Sequence, residues 1–221
     1  MSATFDSWIR NVLAHEAMTQ MGHGQKRETA NLGLGWLYYG MTRVIKPTCV
    51  VVIGSYRGFA PLVMGRALSD NGSGTVKFID PSLVDGFWRE PAAVNEHFSQ
   101  FGLTNIHHHC ATTQEFVQQP EYRSLGEVGV LFIDGYHSYE QAKFDFEAFE
   151  PLVTSRGVIL FHDSIVVRTS RIYGPEKSYE HRVRDFMIEL RKDARHQVFD
   201  IPYGDGLTMV RKQPAAEILF P

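Results

Sequence analysis

Acidic residues and histidines stand at the ends of two neighbouring apolar runs, where a site could use them as bases or metal ligands. Asp134 and His137 follow one run, and His162 and Asp163 follow the next. Histidine has an unperturbed pKa of ~6.5, which makes His137 a candidate general base. Two nearby carboxylates can instead share a hard divalent cation through their oxygens. These four residues therefore predict acid–base chemistry or a metal site.

A glycine-containing turn and a later acid indicate a ligand with a ribose. Gly54 ends the apolar run 50–53, and Gly58 precedes a helical pattern. Glycines let the backbone approach a ligand, and the N–H groups of a helix N-terminus point toward it. Asp80 ends the next apolar run, about 20 residues on, where a carboxylate can bind both ribose hydroxyls. The Gly-x-x-x-Gly spacing alone is equally typical of an ordinary strand-to-helix turn.

Alternating strands and helices must position these residues. A predicted helix follows each strand, for example after the capping-box residue Ser138. Two late runs, about 197–201 and 207–211, predict a hairpin. We therefore expect an α/β fold with a doubly wound, Rossmann-like, seven-stranded and mostly parallel sheet, closed by an antiparallel C-terminal hairpin strand. The other predicted strands lie near residues 49–53, 76–79, 105–110, 126–133 and 157–161.

Two helices are expected before the first strand. Apolar residues recur at helical spacing over 5–13, and a second helix is predicted over about 28–45. The intervening glycines at 22–24 are interpreted as a plain loop, with a lid as the alternative. We expect residues 1–46 to form an N-terminal helical cap and residues 47–221 to form the main domain.

All the candidate residues fall at one edge of the predicted sheet. Ligands of such sheets bind beyond the carboxyl ends of the strands, and Asp80, Asp134 and Asp163 each follow a strand there. The long segment 165–177 leaves one of these strand ends and is predicted to cover a substrate. A helix capped by Ser178 is expected after it.

Three adjacent histidines, His107, His108 and His109, invite a metal interpretation. Successive side chains of a strand point to opposite faces, so three neighbours cannot converge on one ion. We interpret them as ordinary strand residues.

Composition indicates a globular protein that does not bind nucleic acid. The chain has 221 residues, 43% hydrophobic, and a net charge of −3, which implies no broad basic surface. Its two cysteines, Cys49 and Cys110, have no partner at metal-ligand spacing, as expected in a reducing compartment. No run reaches the ~20 apolar residues of a membrane span, and no signal-peptide pattern begins the chain. We expect a cytoplasmic protein.

These motifs resemble those of class I S-adenosylmethionine (SAM) dependent methyltransferases. The similar proteins are the small-molecule O-methyltransferases, including cephalosporin-hydroxylase-like and macrocin O-methyltransferase-like proteins. The resemblance covers about residues 29–212, and it makes 47–221 a SAM-binding methyltransferase domain. Its most specific motif is Asp-Gly-Tyr-His-Ser-Tyr-Glu at 134–140. The supporting segments are 53–58, 78–80, 132–140 and 157–163.

The resemblance implies contacts to each part of SAM. The glycine turn holds the methionine part, Asp80 the ribose, and Thr112, after the third strand, lies near the adenine. Asp134 is also implied on the methionine side. Family members usually carry an acid two residues before the first glycine, where this chain has Val52, so the usual carboxylate near the SAM ammonium group is missing. The implied turn residues are Gly54, Ser55, Tyr56 and Gly58.

Methyl transfer to a hydroxyl also requires removal of the hydroxyl proton. His137, beside Asp134, is the predicted catalytic base. The second device is a divalent cation, Mg²⁺ or Mn²⁺, held by Asp134, Asp163 and His162. Related metal-dependent enzymes have an amide or a second acid where this chain has Ser164, which is a weak ligand.

We predict a SAM-dependent methyltransferase acting on a hydroxyl of a small-molecule acceptor. Two alternatives stay open: a catalytically silent SAM-fold binding or regulatory protein, and an NAD-dependent Rossmann-like oxidoreductase. The expected partners are the acceptor and, by analogy with such enzymes, a second copy in a homodimer, but neither nucleic acid nor membrane. Candidate lining residues of the acceptor pocket are Phe87, Trp88, Tyr136, Tyr139 and Tyr173.

Overall fold

The computed structural model describes residues 4–20 and 22–214. The strands in this part are β1 Cys49–Ile53, β2 Thr75–Ile79, β3 Ile106–His109, β4 Val128–Ile133, β5 Val153–His162, β6 Arg168–Ser170, β7 Tyr179–His181, β8 His196–Ile201 and β9 Leu207–Lys212. The α-helices are α1 Phe5–Ala14, α2 Gly35–Ile45, α3 Phe59–Asn71, α4 Pro91–Ser99, α5 Thr113–Phe116, α6 Pro120–Arg123, α7 Tyr139–Phe149 and α8 Val183–Leu190. Short 3₁₀ turns occupy Glu16–Met18, Glu150–Leu152 and Pro175–Lys177.

Seven strands form one sheet in the order β3-β2-β1-β4-β5-β9-β8. Strands β1 to β5 are parallel, β9 runs antiparallel to β5, and β8 runs antiparallel to β9. The predicted seven-stranded, mostly parallel sheet with its C-terminal hairpin is confirmed. Because β1 pairs with both β2 and β4, the order of the chain reverses there, and a crevice opens beyond the ends of β1 and β4.

The apolar run of β1 forms the centre of the sheet. All five of its residues are buried, and Val52 is opposite Phe78 on one side and Phe132 on the other. Parallel strands covered by helices on both faces need such continuous β-branched runs. The carboxyl end of β1 therefore opens into the interior of the crevice rather than at an edge of the sheet.

The N-terminal helices pack on one face of this sheet. Thr4 caps α1 by accepting a hydrogen bond from the Ser7 amide at 3.3 Å. Trp8 of α1 belongs to the same apolar cluster as Val50 and Val52 of β1. The division of the chain at residues 46 and 47 stays a prediction, although the core crosses it.

The second helix begins later than predicted. Residues before Gly35 form turns, with an isolated bridge between Lys26 and Asn31. Gly33 has φ +58°, and a Cβ there would lie 2.1 Å from the His23 carbonyl oxygen. This close approach requires glycine in a left-handed conformation, which interrupts the helical pattern that began at residue 28.

The segment after β5 is more ordered than predicted. Strands β6 and β7 form a separate antiparallel pair, with Arg168 opposite His181 and Ser170 opposite Tyr179. The prediction that Ser178 caps a helix is wrong, because Ser178 directly precedes β7 and α8 begins only at Val183. Cross-strand pairing overrides the local capping preference here. This pair is called the 168–181 hairpin below.

Among the described residues, we find no helix with the length and apolar character required to cross a membrane.

Candidate active site

A cleft of about 650 Å³ lies beyond the carboxyl ends of the central strands. Its walls come from the turn after β1, the loop after β2, the start of α5, and the segments that follow β4 and β5. The N-terminal segment at residues 22 and 23 and the 168–181 hairpin close two further sides. This volume is typical of a small-molecule or cofactor site.

The glycine turn after β1 combines strand packing with an unsatisfied polar group. Gly54 has φ +68°, and a Cβ there would lie 2.5 Å from the Asp134 carbonyl oxygen, so glycine is required by the neighbouring strand end. Gly58, with φ +82°, precedes α3. The buried hydroxyl of Ser55 has no hydrogen-bond partner among the described residues. Tyr56 has φ +42°, which is uncommon for a residue with a side chain.

Asp80 lines the cleft at the end of β2. Its Oδ1 accepts from the Ser82 amide at 2.7 Å and its Oδ2 from the Ser55 amide at 3.2 Å. Burial raises the pKa of Asp80, although these two backbone donors oppose the shift. Each carboxylate oxygen keeps acceptor capacity toward the cleft, so the carboxyl group fits a diol.

The start of α5 forms the wall beyond β3. Thr112 caps this helix by accepting from the Glu115 amide at 3.2 Å, and Glu115 reciprocates in a capping box. Beside it, the buried Asp145 accepts from Thr113 Oγ1 at 2.6 Å and from Gln141 Nε2 at 2.7 Å. The hydroxyl of Thr112 is therefore engaged in the cap, and its predicted role near adenine stays a prediction.

Asp134 and Asp163 lie together, as expected from adjacent strand ends. His162 bridges them, because its Nδ1 is 3.0 Å from Asp134 Oδ1 and 3.3 Å from Asp163 Oδ1. His137 faces both, with its Nε2 3.6 Å from Asp134 Oδ1 and 3.8 Å from Asp163 Oδ2. Asp163 also adopts φ +51°, a strained backbone of the kind found at functional sites. The four residues that the first interpretation singled out thus form one cluster.

His23 also belongs to this cluster, although the sequence analysis placed it in a plain loop. Its side chain is buried, and its Nε2 lies 3.9 Å from Asp134 Oδ2. Its Nδ1 is 3.0 Å from the Tyr38 hydroxyl, and its ring stacks on Phe59. The one available sequence signal was the placement of a histidine between Gly22 and Gly24, both of which have positive φ.

His181 is the second histidine that the sequence analysis missed. It ends β7, is 3% exposed, and its Nδ1 lies 3.3 Å from Asp163 Oδ2. Neither of its ring nitrogens forms a hydrogen bond within the described chain. No sequence signal could have found it, because the 168–181 hairpin brings it to Asp163.

Arg168 and His162 supply positive charge to the two acids. Arg168 Nη2 lies 2.5 Å from Asp163 Oδ2, and its Nε is 2.8 Å from Asp205. Burial disfavours charge on His162, but the carboxylates of Asp134 and Asp163 outweigh this and raise its pKa to about 8. Burial lowers the pKa of His137 to about 3, with Asp163 opposing the shift, so His137 is neutral at neutral pH.

The oxygen-only metal site of related enzymes does not fit this cluster. Ser164 is turned away, because its hydroxyl bonds to that of Thr208 at 2.8 Å. The donors around Asp134 and Asp163 are instead imidazole nitrogens, which form two groups of metal-ligand spacing with the acids. The groups are His23, Asp134, His162 and His137, Asp163, His181.

Two other predictions concern residues away from the cluster. Val52 is fully buried among apolar side chains and offers no polar contact at the cleft. His108 Nε2 bonds to the Asp80 carbonyl at 2.9 Å, whereas His107 is exposed on the opposite face of β3. Within the described chain, neither they nor His109 joins a group of metal-ligand spacing.

Aromatic residues line the mouth of the cleft. Tyr136 stacks on Tyr179 of the 168–181 hairpin, with ring centroids 4.1 Å apart, and Tyr173 lies beside them. Trp88 forms part of the opposite wall. Of the five aromatic residues expected here, Phe87 and Tyr139 lie outside the lining.

Comparison of the sequence with known families identifies the chain. A family described as "Methyltransferase domain" matches residues 51–164, just over half of the sequence. The chain belongs to this methyltransferase family. Membership confirms the resemblance at the level of the family, and the matched region runs from β1 to the end of the His162–Ser164 motif.

A curated relative matches this methyltransferase at low sequence identity. The chain is 27% identical over 191 residues to the uncharacterized protein y4gI of Sinorhizobium fredii, which covers 79% of the chain and 19% of y4gI. The chain thus spans about a fifth of the length of that curated relative.

Solved structures agree with the observed topology. An O-methyltransferase from Bacillus cereus in complex with S-adenosylhomocysteine (SAH) has a TM-score of 0.66 and 16% identity, covering 96% of this chain and 94% of that one. TomG from Streptomyces achromogenes, an O-methyltransferase of tomaymycin synthesis in complex with SAM, has a TM-score of 0.60 and 15% identity, covering 90% and 91%. These similarities show that the fold is that of the methyltransferases.

Proposed function

We propose that this protein is a SAM-dependent methyltransferase that transfers a methyl group to a hydroxyl of a small-molecule acceptor. The main support is the cleft beyond the ends of β1 and β4, where the strand order reverses. It places the Asp80 carboxylate beside the unsatisfied Ser55 hydroxyl at one end, and the acid–histidine cluster at the other. The fold relatives from Bacillus cereus and Streptomyces achromogenes, bound to SAH and SAM, support the cofactor.

The cofactor-binding part of the proposal follows the walls of the cleft. We assign Asp80 to the ribose hydroxyls and Thr112 to the adenine end. Asp134 lies next to the glycine turn, because its amide donates to the Ile53 carbonyl at 2.8 Å, and we assign it to the sulfonium end. The turn residues assigned to the methionine part are Gly54, Ser55, Tyr56 and Gly58.

The chemistry requires positioning and removal of one proton. SAM, when bound, supplies an activated methyl carbon, and the protein must hold the acceptor oxygen about 3–3.5 Å from it and in line. As the new oxygen–carbon bond forms, the hydroxyl proton passes to the protein. We assign this proton to His137, whose Nε2 lies 3.6 and 3.8 Å from carboxylate oxygens of Asp134 and Asp163 that would stabilise the resulting imidazolium.

The proposal extends to the setting of the protein. The acceptor is a small molecule, because the cleft is enclosed by the N-terminal segment and the 168–181 hairpin and has an aromatic mouth. A net charge of −3 offers no broad attraction for nucleic acid. We also propose a cytoplasmic protein that forms a homodimer and has no membrane partner.

Calorimetric titration with SAH tests the assignment of the cofactor. Asp80→Asn removes the charge that accepts two ribose hydroxyls, so the Kd for SAH is expected to rise about 10- to 100-fold. His137→Ala is expected to keep the SAH affinity and to lose methyl transfer to any acceptor that the wild-type protein methylates. The matched control is Asp6→Asn, an exposed acid on α1.

Each outcome of this titration has a distinct meaning. Wild-type protein that binds neither SAH nor SAM contradicts the proposal, and the buried Val52 would then mark a methyltransferase fold without the cofactor. Binding of NAD in place of SAH would identify an oxidoreductase. Equal SAH affinity of the wild-type and Asp80→Asn proteins would remove the ribose assignment.

A further inference from the structure

We propose that His23, Asp134 and His162 form a binding site for one borderline divalent cation, such as Mn²⁺, Fe²⁺, Co²⁺ or Zn²⁺. Compared with the predicted set of Asp134, Asp163 and His162, this site has a histidine from the N-terminal segment in place of Asp163. Its role in methyl transfer rests on the proposed function, whereas cation binding does not.

The ligand atoms are close to the spacing that a cation requires. His162 Nδ1 lies 3.0 Å from Asp134 Oδ1, and His23 Nε2 lies 3.9 Å from Asp134 Oδ2. All three ligand atoms lie within 4.8 Å of one another. A cation about 2.0–2.2 Å from each ligand separates them by roughly 3–3.6 Å, so small side-chain shifts complete the site.

An unpartnered buried nitrogen points to a missing ligand. His162 is 4% exposed, and its Nδ1 lies 3.0 Å from Asp134 Oδ1 and 3.3 Å from Asp163 Oδ1, in a geometry that leaves it without a hydrogen bond in the described chain. A buried polar atom without a partner costs free energy unless something binds it. A cation that displaces the proton of this imidazole would use Nδ1 as a ligand and would take over the compensation of the Asp134 carboxylate.

The surroundings of His23 resemble those of a metal ligand. Its Nδ1 lies 3.0 Å from the Tyr38 hydroxyl, and its ring stacks on Phe59 at 5.1 Å. Metal-binding histidines usually donate their second ring N–H to such a partner, which fixes the tautomer and orients the ring. With the proton on Nδ1, the lone pair of Nε2 is directed toward Asp134.

The two carboxylates differ in their positively charged partners, and this difference favours Asp134 as the metal ligand. Asp163 already pairs with the guanidinium of Arg168 at 2.5 Å. Across residues 4–20 and 22–214, Asp134 pairs with histidines alone, and with neither lysine nor arginine. Asp134 therefore has no permanently charged partner in the part of the chain that the structure describes, and a metal ion bound in place of the His162 proton would compensate its buried carboxylate.

The donor set selects the class of cation. Mg²⁺ and Ca²⁺ prefer oxygen ligands, whereas two imidazoles and one carboxylate suit Mn²⁺, Fe²⁺, Co²⁺ and Zn²⁺. Three protein ligands leave coordination positions for the acceptor hydroxyl, whose pKa the cation would lower. The proposed acceptor class is therefore an alcohol or phenol that can coordinate a cation through oxygen.

Metal titration of the full chain tests the site without any turnover. After dialysis against a chelator, the protein is titrated calorimetrically with Zn²⁺, Mn²⁺ and Mg²⁺, and Co²⁺ binding is followed by its visible absorption. We expect one equivalent of Zn²⁺ or Co²⁺ to bind, with Mg²⁺ bound at least ~100-fold more weakly. His23→Ala and His162→Ala should each weaken binding by more than the ~10- to 100-fold typical of losing an outer-shell partner.

Control variants separate this site from its neighbours and from unfolding. His107→Ala, an exposed histidine of β3, should bind like the wild type. Tyr38→Phe retains His23 and removes the hydroxyl beside it. We expect this variant to bind the cation ~10- to 100-fold more weakly, which tests the site even if His23→Ala proves unstable. Circular dichroism checks the fold of each variant.

Several results would overturn the proposal. These are equal affinity for Mg²⁺ and Zn²⁺, no binding by the wild type, or undiminished binding by both His23→Ala and Tyr38→Phe. Loss of binding in His181→Ala but not in His23→Ala would place the cation at Asp163 instead. SAH titration of the same samples is independent of these outcomes, so failure of the metal site and failure of the cofactor assignment are distinguishable.

Discussion

Asp134 and Asp163 are acids of the same type at neighbouring strand ends, yet their surroundings give them different roles. The histidines at 23, 137 and 162 face Asp134 at 3.9, 3.6 and 3.0 Å. Asp163 shares His137 and His162 with Asp134, and it also pairs with Arg168 and lies 3.3 Å from His181. Both acids line the cleft, and Asp163 in addition ties the 168–181 hairpin to the sheet through Arg168.

A third acid, Asp145, is predicted to make the stability of the protein depend on pH. Burial raises its pKa to about 6, against the opposing hydrogen bonds from Thr113 and Gln141. The folded protein therefore holds a proton on Asp145 between ~4 and ~6, and the stability from this proton is lost as the pH rises through that range. Asp145→Asn keeps the acceptor oxygen and never ionises.

Relative to the wild type, Asp145→Asn should be more stable at pH ~7.5 than at pH ~4. We expect the difference between the two free energies of unfolding to change by about 1–3 kcal/mol in favour of the variant. Urea denaturation at the two pH values measures this difference. Glu147→Gln, an exposed acid on the same helix, is the matched control and should show little pH-dependent change. A constant difference for Asp145→Asn across the two pH values would show that the carboxyl is not perturbed.

The 168–181 hairpin is the element that turns an open crevice into a cleft. Its only strand partner in the described chain is internal, between β6 and β7, so side chains attach it to the domain. Arg168 makes the two main polar contacts, to Asp163 after β5 and to Asp205 in the turn between β8 and β9. A small hairpin without a sheet neighbour depends on such contacts for its position.

Arg168→Ala is therefore expected to loosen this hairpin while leaving the sheet intact. Amides of Ser170 and Tyr179 should exchange with solvent faster than in the wild type, because local opening no longer breaks the partly buried ion pair between Arg168 and Asp163. Hydrogen exchange followed by mass spectrometry measures the effect. Arg182→Ala removes an exposed pair with Asp185 just beyond the hairpin and should change little. If the hairpin amides were equally protected from exchange in the two variants, Arg168 would not hold the hairpin in place.

The whole molecule is organised as two apolar layers around one sheet. One layer contains the N-terminal helices and α3, the other contains α7 and α8, and alternate residues of β1 belong to each layer. Trp8 of α1 is 4% exposed and donates from its indole nitrogen to the Phe101 carbonyl at 3.0 Å. The N-terminal segment that delivers His23 is thus part of the main core.

This arrangement predicts that Trp8→Ala destabilises the entire chain. Removal of the buried indole should cost about 3–5 kcal/mol, in a single unfolding transition seen by far-ultraviolet circular dichroism. Val44→Ala, on α2 and 79% exposed, should stay within about 0.5 kcal/mol of wild type. Two separate transitions would instead support the predicted boundary between a 1–46 cap and a 47–221 domain.

The sequence by itself determined the sheet and the strand-end residues of the site. Continuous β-branched runs such as 50–53 can only be buried central strands, and parallel strands bring their carboxyl ends to one edge. The clustering of Asp134, His137, His162 and Asp163 followed from that rule, because each residue lies within a few positions of a strand end.

Only the tertiary structure shows which further histidines join the cluster around Asp134 and Asp163. His23 reaches Asp134 because Gly33 allows a turn where the helical pattern predicted a longer helix. His181 reaches Asp163 because β7 pairs with β6, where Ser178 had predicted a helix start. Both contacts join segments far apart in the chain, and local periodicity carries no information about such pairs. The nitrogen-rich character of the site, on which the proposed class of cation rests, therefore became evident only in the folded protein.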